Sequence, residues 1–157
     1  MTDHKTFMLE AIMLSRENMR SNSGGPFGAV IVKDGKVIGR GANKVTSAND
    51  PTAHAEVVAI REACRNIADF NLSGCEIYTS CEPCPMCLSA IYWARIEKIY
   101  YANTQDDAAA IDFDDAFLYK EVALPKAQRS IPCTALLHDE AIKVFEEWRQ
   151  KTDKIPY

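Results

Sequence analysis

The chain has 157 residues, of which 47% are hydrophobic and 25% are charged, and its formal net charge is −4. These values are typical of one globular domain with a sizeable core. No apolar run approaches the roughly eighteen residues that a membrane span needs. An acidic chain without a dense basic cluster also lacks the usual means of binding nucleic acid. We therefore expect a single domain over residues 1–157 that binds neither a membrane nor nucleic acid.

The cysteines and the first residues indicate a compartment. Six cysteines occur without any extracellular cue, and no hydrophobic signal region follows Met1–Lys5. Cysteines in such a context are typically reduced thiols or metal ligands. We therefore expect a cytoplasmic protein.

The first predicted elements are a helix and a hairpin. Apolar and polar residues alternate at helical spacing over Thr6–Arg20. The segments Gly28–Lys33 and Lys36–Gly39 flank Asp34-Gly35, a two-residue turn that is typical of β-hairpins. The chain is thus expected to begin with one helix that is followed by two antiparallel strands.

The middle of the chain contains two predicted helix starts. Asp50-Pro51 has the form of an N-cap followed by proline at the first helical position, which predicts a helix over 51–65. A buried strand is predicted over Glu76–Ser80. The next helix should start at about Cys84, with Pro85 early in its first turn, and continue to Ala94.

The last third contains two further predicted strands. The first covers Glu97–Ala102, and the second covers Ile131–Leu137 with Pro132 at its start or at an edge position. Helices are predicted over 114–120 and 139–151. The long connection between the last two strands permits a parallel crossover, whereas the hairpin is antiparallel. We therefore expect a mixed sheet with helices on both faces.

Two short segments carry the chemistry, Thr52–Glu56 and Pro83–Cys87. Together they form H-x-E followed by P-C-x-x-C, the signature of zinc-dependent nucleobase deaminases. His54, Cys84 and Cys87 supply three zinc ligands, whereas structural zinc sites use four. The open position would hold water, and Glu56 is spaced to act on that water.

Three zinc ligands and a nearby carboxylate are the groups that a hydrolytic reaction needs. Zinc lowers the pKa of bound water to about 7. Glu56 can accept the water's proton and deliver it to a ring nitrogen of the substrate. The oxygen then adds to the amino-bearing ring carbon, and ammonia leaves. The motif therefore predicts hydrolytic deamination of an aromatic amine, with one Zn²⁺ per subunit.

A closed structural zinc site is the alternative. Cys81 extends the cysteine run to C-x-x-C-x-x-C, so that His54 and three cysteines could form a Cys₃His site. Glu56 would then have no role, and Cys81 ends a predicted strand rather than lying on the helix. The sequence therefore favours the open site.

The sequence resembles the cytidine deaminase superfamily and, within it, the small bacterial guanine deaminases. The matching segments extend over nearly the whole chain: Gly24–Gly35, Asn49–Glu56, Tyr78–Cys87, Ala90–Arg95, Phe113–Asp115 and Tyr157. The zinc motif identifies only the superfamily, because cytosine, cytidine and tRNA-adenosine deaminases share it. Tyr92-Trp93, Phe113–Asp115 and Tyr157 carry the narrower resemblance. The resemblance implies a three-layer α/β/α, cytidine-deaminase-like fold with a mixed, mostly five-stranded sheet.

The resemblance also implies substrate-binding residues. Asn43 would hydrogen-bond the purine, Ala55 would contact it, and Phe27 and Trp93 would sandwich or wall the flat base. From the residues alone, an asparagine at this position is equally a turn residue. Aromatic side chains on helices are more often part of the core.

Two further roles are implied near the end of the chain. Asp115 would deliver a second proton to the leaving nitrogen, with Asp114 as a helix cap and the alternative candidate. Both could instead be ordinary carboxylates at a helix N-terminus. Tyr157 would help to enclose the base, with residues 152–157 as a lid that is exchanged between the subunits of a homodimer. Such a lid would crowd out a ribose.

The predicted function is that of a hydrolase acting on the C–N bond of a cyclic amidine, which converts guanine to xanthine and ammonia in purine salvage. The same mechanism acting on guanosine, cytosine, a triazine-type ring or adenosine in tRNA is the first alternative. The second alternative is a non-catalytic, zinc-stabilised binding module, in which Glu56 would be dispensable.

Overall fold

The structure, a computed structural model, describes residues 3–157. They form two compact units, of which the first ends at Leu118 and the second spans Tyr119–Tyr157. The elements of the first unit are α1 (His4–Arg20), β1 (Gly28–Lys33), β2 (Lys36–Ala42), α2 (Val45–Ala48), α3 (Ala55–Ile67), β3 (Cys75–Cys81), α4 (Pro85–Trp93), β4 (Lys98–Asn103) and α5 (Gln105–Ala109). They are followed by α6 (Ala116–Ala123), a 3₁₀ turn (Lys126–Gln128) and α7 (His138–Gln150).

The first unit is built on a four-stranded sheet in the order β2-β1-β3-β4. β1 pairs antiparallel with β2 and with β3, whereas β3 and β4 are parallel. At the hairpin turn, Asp34 and Gly35 have φ values of 49° and 73°, both positive as a type I′ turn requires. The predicted mixed sheet and its hairpin are therefore confirmed.

Helices cover both faces of this sheet, which gives the predicted three layers. On one face, Phe7 and Leu14 of α1 pack against Val30 and Tyr78. On the other face, residues of α3 and α4 pack against the opposite sides of the same strands: Ala55, Ala59, Ala63 and Ile91 against Ala29, Ile31 and Ile77. Burial of one large aliphatic side chain contributes about 1.5–3 kcal/mol, so this second cluster holds both helices on the sheet.

Gly41 brings β2 and the start of α3 into backbone contact. A Cβ atom built at Gly41 would lie only 2.1 Å from the carbonyl oxygen of Ala55, so no larger residue fits without displacement. This close approach fixes the N-terminus of α3, which carries His54 and Glu56.

The predicted fifth strand over Ile131–Leu137 is wrong. None of its residues joins the sheet in the described part of the chain, and the side chains of Ile131 and Leu136 are 80% and 83% exposed. Pro132 offers no backbone N–H for a ladder hydrogen bond. The apolar run that predicted a buried strand therefore lies on the surface of the chain.

The predicted start of a helix at Pro51 is also wrong, because α3 begins at Ala55 with His54 as its N-cap. Asp50 does act as a capping residue, but for a turn: its Oδ1 accepts hydrogen bonds from the backbone N–H of Thr52 at 2.9 Å and from its hydroxyl at 2.7 Å. Local hydrogen bonds of this kind compete with helix formation.

The second unit contains α7 and a short hydrogen-bonded loop before it. Glu121 accepts hydrogen bonds from the backbone N–H and the hydroxyl of Ser130, both at 2.9 Å. Several large apolar side chains of α7 are exposed, among them Val144 and Phe145. Within residues 3–157, no helix combines the length and the hydropathy that crossing a membrane requires.

Candidate functional site

Three side chains converge in a geometry that suits a metal ion. Nδ1 of His54 lies 3.5 Å from Sγ of Cys84 and 3.5 Å from Sγ of Cys87. The possible ligand atoms of the three residues all lie within 4.8 Å of one another. His54 is the N-cap of α3 and Cys84 is the N-cap of α4, so two helix N-termini meet here. One imidazole and two thiols form the donor set of a three-ligand catalytic zinc site.

The protonation of these groups favours metal binding at Cys84. Hydrogen bonds from the Cys87 thiol and from His54 lower the pKa of Cys84 to about 4, against the opposing effect of burial. The thiolate is the form of cysteine that binds metals. The same contact raises the pKa of Cys87, and the hydrogen bond with Cys84 raises that of His54. Zinc binding must therefore displace the proton of the Cys87 thiol.

Cys81 lies outside this group of ligands. Its Sγ donates a hydrogen bond to the carbonyl oxygen of Thr104 at 3.6 Å, and burial raises its pKa to about 11. Of the described residues, only His54, Cys84 and Cys87 form a cluster that could hold a metal ion. The geometry thus favours the open three-ligand site over the closed Cys₃His site.

Glu56 is buried next to the three ligands, with 7% of its surface exposed. Burial raises the pKa of its carboxyl group above the ordinary value. The hydroxyl of Thr79 donates to the carbonyl oxygen of Cys81 at 2.9 Å and lies 3.4 Å from Oε1 of Glu56. Burial thus favours the protonated form of Glu56, and a carboxyl group in this position can exchange a proton with a ligand beside the three metal-binding side chains.

These residues share a cavity of about 630 Å³. Its wall includes Gly25, Phe27, Asn43, His54, Glu56, Cys81, Glu82, Cys84, Phe113, Asp115 and Leu118. The rings of Phe27 and Phe113 meet edge to face, with centroids 5.0 Å apart and planes at 89°. The volume lies within the range of small-molecule sites. An aromatic wall with a few convergent polar groups suits a flat, polar ligand.

Asn43 lines this cavity, and the backbone holds one end of its amide. Its Oδ1 accepts hydrogen bonds from the backbone N–H groups of Gly25 at 3.3 Å and Val45 at 3.1 Å. The oxygen is therefore engaged by the protein, which leaves the NH₂ group as the part that can bind a ligand.

The two adjacent aspartates have different surroundings. Asp114 is exposed, and its Oδ1 accepts a hydrogen bond from the backbone N–H of Ala116 at 2.9 Å, at the start of α6. Oδ1 of Asp115 is buried at the cavity without a hydrogen-bond partner in the described part of the chain. Burial raises the pKa of Asp115. A buried carboxylate oxygen without a partner is costly and is common at functional sites.

The structure brings six of the predicted site residues to the cavity wall: Phe27, Asn43, His54, Glu56, Cys84 and Asp115. Cys87 and Ala55 are completely buried. Trp93, the last residue of α4, is 70% exposed and does not belong to the cavity wall formed by residues 3–118. Tyr157 belongs to the second unit and is 74% exposed.

Phe113 and Glu82 also line the cavity; from the sequence, Phe113 serves only the family resemblance, and Glu82 is open between a partner of the site and a strand-end carboxylate. Glu82 ties the end of β3 to α5, because its backbone N–H donates to Asn103 at 2.8 Å and its carboxylate accepts from the N–H of Gln105 at 3.0 Å. The position of Glu82 just before the P-C-x-x-C segment was an available signal. Phe113 similarly precedes the two aspartates, whereas the pairing of its ring with Phe27 depends on the fold.

Known proteins are similar to this chain in sequence and in fold. Residues 1–103 match the family described as the cytidine and deoxycytidylate deaminase zinc-binding region. A guanine deaminase of Bacillus subtilis is 50% identical over 155 residues, which are 99% of each chain. A solved guanine deaminase structure from the same organism superposes with a TM-score of 0.96, again over 99% of both chains.

Two further proteins are less similar to this chain. The tRNA-specific adenosine deaminase of Agrobacterium fabrum is 37% identical over 108 residues, which are 69% of this chain and 71% of that protein. The solved guanine deaminase of Nitrosomonas europaea has a TM-score of 0.70 at 29% identity, over 96% of this chain and 87% of that one. The zinc-ligand cluster, the fold and the matched region together show that the chain belongs to the cytidine and deoxycytidylate deaminase family.

Proposed function

We propose that this chain is a zinc-dependent guanine deaminase that converts guanine and water to xanthine and ammonia. One observation carries the choice of substrate. The likeness to the guanine deaminase of Bacillus subtilis covers 99% of both chains, so it includes the segments of Asp115 and Tyr157. The likeness to the tRNA-specific adenosine deaminase of Agrobacterium fabrum covers only 69% of this chain.

The zinc-binding side chains, Glu56 and Asp115 have different roles in the proposed reaction. His54, Cys84 and Cys87 would hold the zinc ion, which would supply an acidified water molecule at the cavity wall. Glu56 takes a proton from this water and transfers it to a ring nitrogen of the base. One C–O bond forms at the amino-bearing carbon, and the C–N bond to the amino group breaks.

Asp115 provides the proton that the departing amine needs. Its buried Oδ1 without a hydrogen-bond partner and its raised pKa support this role, since a protonated carboxyl group at the cavity wall can donate to a ligand atom. Asp114 is less suited, because its Oδ1 is engaged by the backbone of Ala116. As the C–N bond breaks, the amine leaves as ammonia, and the hydroxyl on the ring carbon becomes the carbonyl by returning its proton to Asp115.

In the proposed complex, the base is held by one hydrogen-bonding amide and by apolar and aromatic side chains. The NH₂ group of Asn43 donates to an acceptor atom of the purine, and Ala55 contacts the base from the start of α3. Phe27 forms one wall of the binding site, and its edge-to-face contact with Phe113 supports that placement. Trp93, at an exposed position on α4, is the second aromatic residue proposed to wall the base.

We further propose a homodimer in which residues 152–157 are exchanged and Tyr157 of a second copy closes the cavity. Large apolar side chains of the second unit support an association between chains, because they are exposed: Ile131, Leu136, Leu137, Val144, Phe145 and Ile155. Monomeric proteins rarely expose extended apolar patches. A cavity of about 630 Å³ also exceeds the needs of a purine base, so an additional side chain can enter it.

A cytoplasmic enzyme of purine salvage fits the chemistry of the cysteines. All six cysteines are free thiols, and three of the most buried ones are Cys75, Cys81 and Cys87. Free thiols are typical of reducing compartments.

The test is ammonia release by the zinc-loaded protein from a panel of amines: guanine, guanosine, adenine, cytosine, a triazine amine and a tRNA anticodon stem-loop. Guanine as the preferred substrate supports the proposal. Preference for guanosine or another amine keeps the mechanism but contradicts the substrate. No release from any substrate, together with a closed metal site, favours the non-catalytic binding module.

A further inference from the structure

A buried asparagine lies directly behind the ligand-binding amide of Asn43. Asn18, near the end of α1, is only 8% exposed. Its Nδ2 donates to the carbonyl oxygen of Gly25 at 2.9 Å and to that of Asn43 at 2.8 Å. Burial of a side-chain amide is costly unless it is hydrogen-bonded, and here the NH₂ group of Asn18 is used twice. Asn18 therefore joins α1 to two segments of the cavity wall.

Asn43 also holds Gly25, through the backbone N–H of that residue. Its Oδ1 accepts from the backbone N–H of Gly25, whose carbonyl oxygen is held by Asn18. Both polar groups of Gly25 are thus engaged by the two asparagines. The N–H groups of Gly25 and Val45 face the same end of the Asn43 amide, which settles which end is the oxygen.

The neighbouring glycine shows how closely these segments pack. A Cβ atom at Gly24 would lie 1.9 Å from the carbonyl oxygen of Asn43 and 3.0 Å from Nδ2 of Asn18. Only glycine fits there without displacing the Asn43 backbone. The position of Asn43 is therefore determined by α1 and by the Gly24-Gly25 segment together.

We propose that Asn18 is a positioning residue for substrate binding and specificity. By holding the carbonyl groups of Gly25 and Asn43, it fixes the Asn43 amide so that its NH₂ group donates to an acceptor atom of a planar base. A base with a hydrogen-bond donor at that place would leave two donors facing each other. Asn18 acts through Asn43, because it is not part of the described cavity wall. The inference rests on the proposed function, in which Asn43 binds the base.

The test is a double-mutant cycle of Asn18→Asp and Asn43→Ala, with guanine as substrate. Asn18→Asp preserves size but replaces the donating NH₂ group with an oxygen that repels both carbonyls. We expect KM to rise roughly tenfold or more while kcat stays within about threefold, the pattern of lost binding rather than lost chemistry. Zinc content should stay at that of the wild type. In the Asn43→Ala background, the same change should alter KM less than about twofold, since coupled residues are not additive.

Asn66→Asp is the matched control. Asn66 also donates a side-chain hydrogen bond to a backbone carbonyl, that of Ile38 at 2.8 Å, but on α3 and away from Asn43. Its KM for guanine should remain within about twofold of the wild-type value. Asn18→Ala removes both donors without adding charge, and it should show the same separation of KM from kcat if the charged variant folds poorly.

Three outcomes overturn the inference. The first is an unchanged KM in both Asn18 variants together with a raised KM in Asn43→Ala, which leaves the role of Asn43 intact. The second is a full additive effect of Asn18→Asp in the Asn43→Ala background. The third is an unchanged KM in Asn43→Ala, which overturns the contact between Asn43 and the base as well, while guanine deamination itself still stands on the substrate panel.

Discussion

Asp114 and Asp115 are adjacent in the chain and both line the cavity, yet only Asp115 has a buried carboxylate oxygen without a hydrogen-bond partner in the described residues. Oδ1 of Asp114 accepts a hydrogen bond from the backbone of Ala116 at 2.9 Å, whereas Oδ1 of Asp115 has no partner in the described residues. A stable fold gains nothing from such an oxygen. The difference is explained if a bound ligand becomes the partner of Asp115.

Asp115→Asn is expected to lower kcat for guanine by about 10²-fold or more, because an amide cannot donate an acidic proton. The midpoint of thermal unfolding should stay the same or rise, since the variant removes a buried carboxylate. Asp114→Asn is the matched control and should keep kcat within about threefold. Steady-state kinetics and thermal unfolding measure both effects. A larger loss of kcat in Asp114→Asn would transfer the role to that residue.

Zinc content separates the open site from the closed one. Cys84→Ser should lose most of the bound zinc, because Cys84 lies in the cluster with His54 and Cys87. Cys81→Ser should retain about one zinc ion per chain, because its thiol is hydrogen-bonded to Thr104 instead. Metal analysis after gel filtration gives both values. Loss of zinc in Cys81→Ser would indicate a fourth protein ligand and the structural site.

Mixed dimers test the exchange of residues 152–157. One chain carries Glu56→Gln with an intact C-terminal segment, and the other lacks residues 154–157 but keeps Glu56. If Tyr157 completes the cavity of the other chain, each mixed dimer contains one site with both groups, and refolding the chains together restores guanine deamination that neither has alone. The truncated chain should keep its zinc and its fold.

Restoration should reach about a quarter of the wild-type rate in a statistical mixture, because half of the dimers are mixed and each has one complete site. Activity that stays at the level of the separate variants would show that every chain uses its own Tyr157 or none. Truncation with no effect on rate or substrate preference would remove the lid altogether.

Tyr78 makes the stability of the fold sensitive to alkaline pH. Its buried hydroxyl donates to Oε2 of Glu76 at 2.7 Å and lies 2.6 Å from Nδ1 of His4. Burial is the main cause that raises the pKa of Tyr78 above its ordinary value of 10.0. The unfolded chain therefore ionises Tyr78 first. The stabilisation is complete below the unfolded pKa and is lost as pH rises through the folded one.

The free energy of unfolding in urea should consequently fall between about pH 8 and about pH 11. Tyr78→Phe should be less stable by about 1–3 kcal/mol at the lower pH and should lose less on going to the higher pH. Tyr92→Phe, at a side chain that is 75% exposed, should keep the wild-type pH dependence. An equal fall in all three proteins would contradict the role of Tyr78.

Local patterns were sufficient for the hairpin and for the candidate zinc ligands. Asp34-Gly35 encodes its turn by tolerating positive φ at both positions, and Cys84-Pro85 encodes a helix start because proline suits the first helical position. The spacing of His54 from Cys84 carries no distance information by itself. The fold brings the two segments together, because α3 packs on β2 and β1 and contacts α4 on the same face of the sheet.

Three features could not be predicted from local sequence patterns. Asp50 caps a turn at Thr52 instead of a helix at Pro51, and the two choices use the same side-chain oxygen. The run Ile131–Leu137 is apolar enough for a buried strand, but no edge of the described sheet receives it. The burial of Asn18 could not be predicted either, because a polar residue in an amphipathic helix pattern is normally expected on the solvent-exposed face.

The most direct test of the account is guanine turnover by Glu56→Gln with its zinc content measured on the same sample. Glutamine preserves the size of the side chain but cannot shuttle a proton, so we expect wild-type zinc content and a kcat reduced by about 10²- to 10⁴-fold. A zinc-loaded Glu56→Gln that deaminates guanine at the wild-type rate would contradict the account.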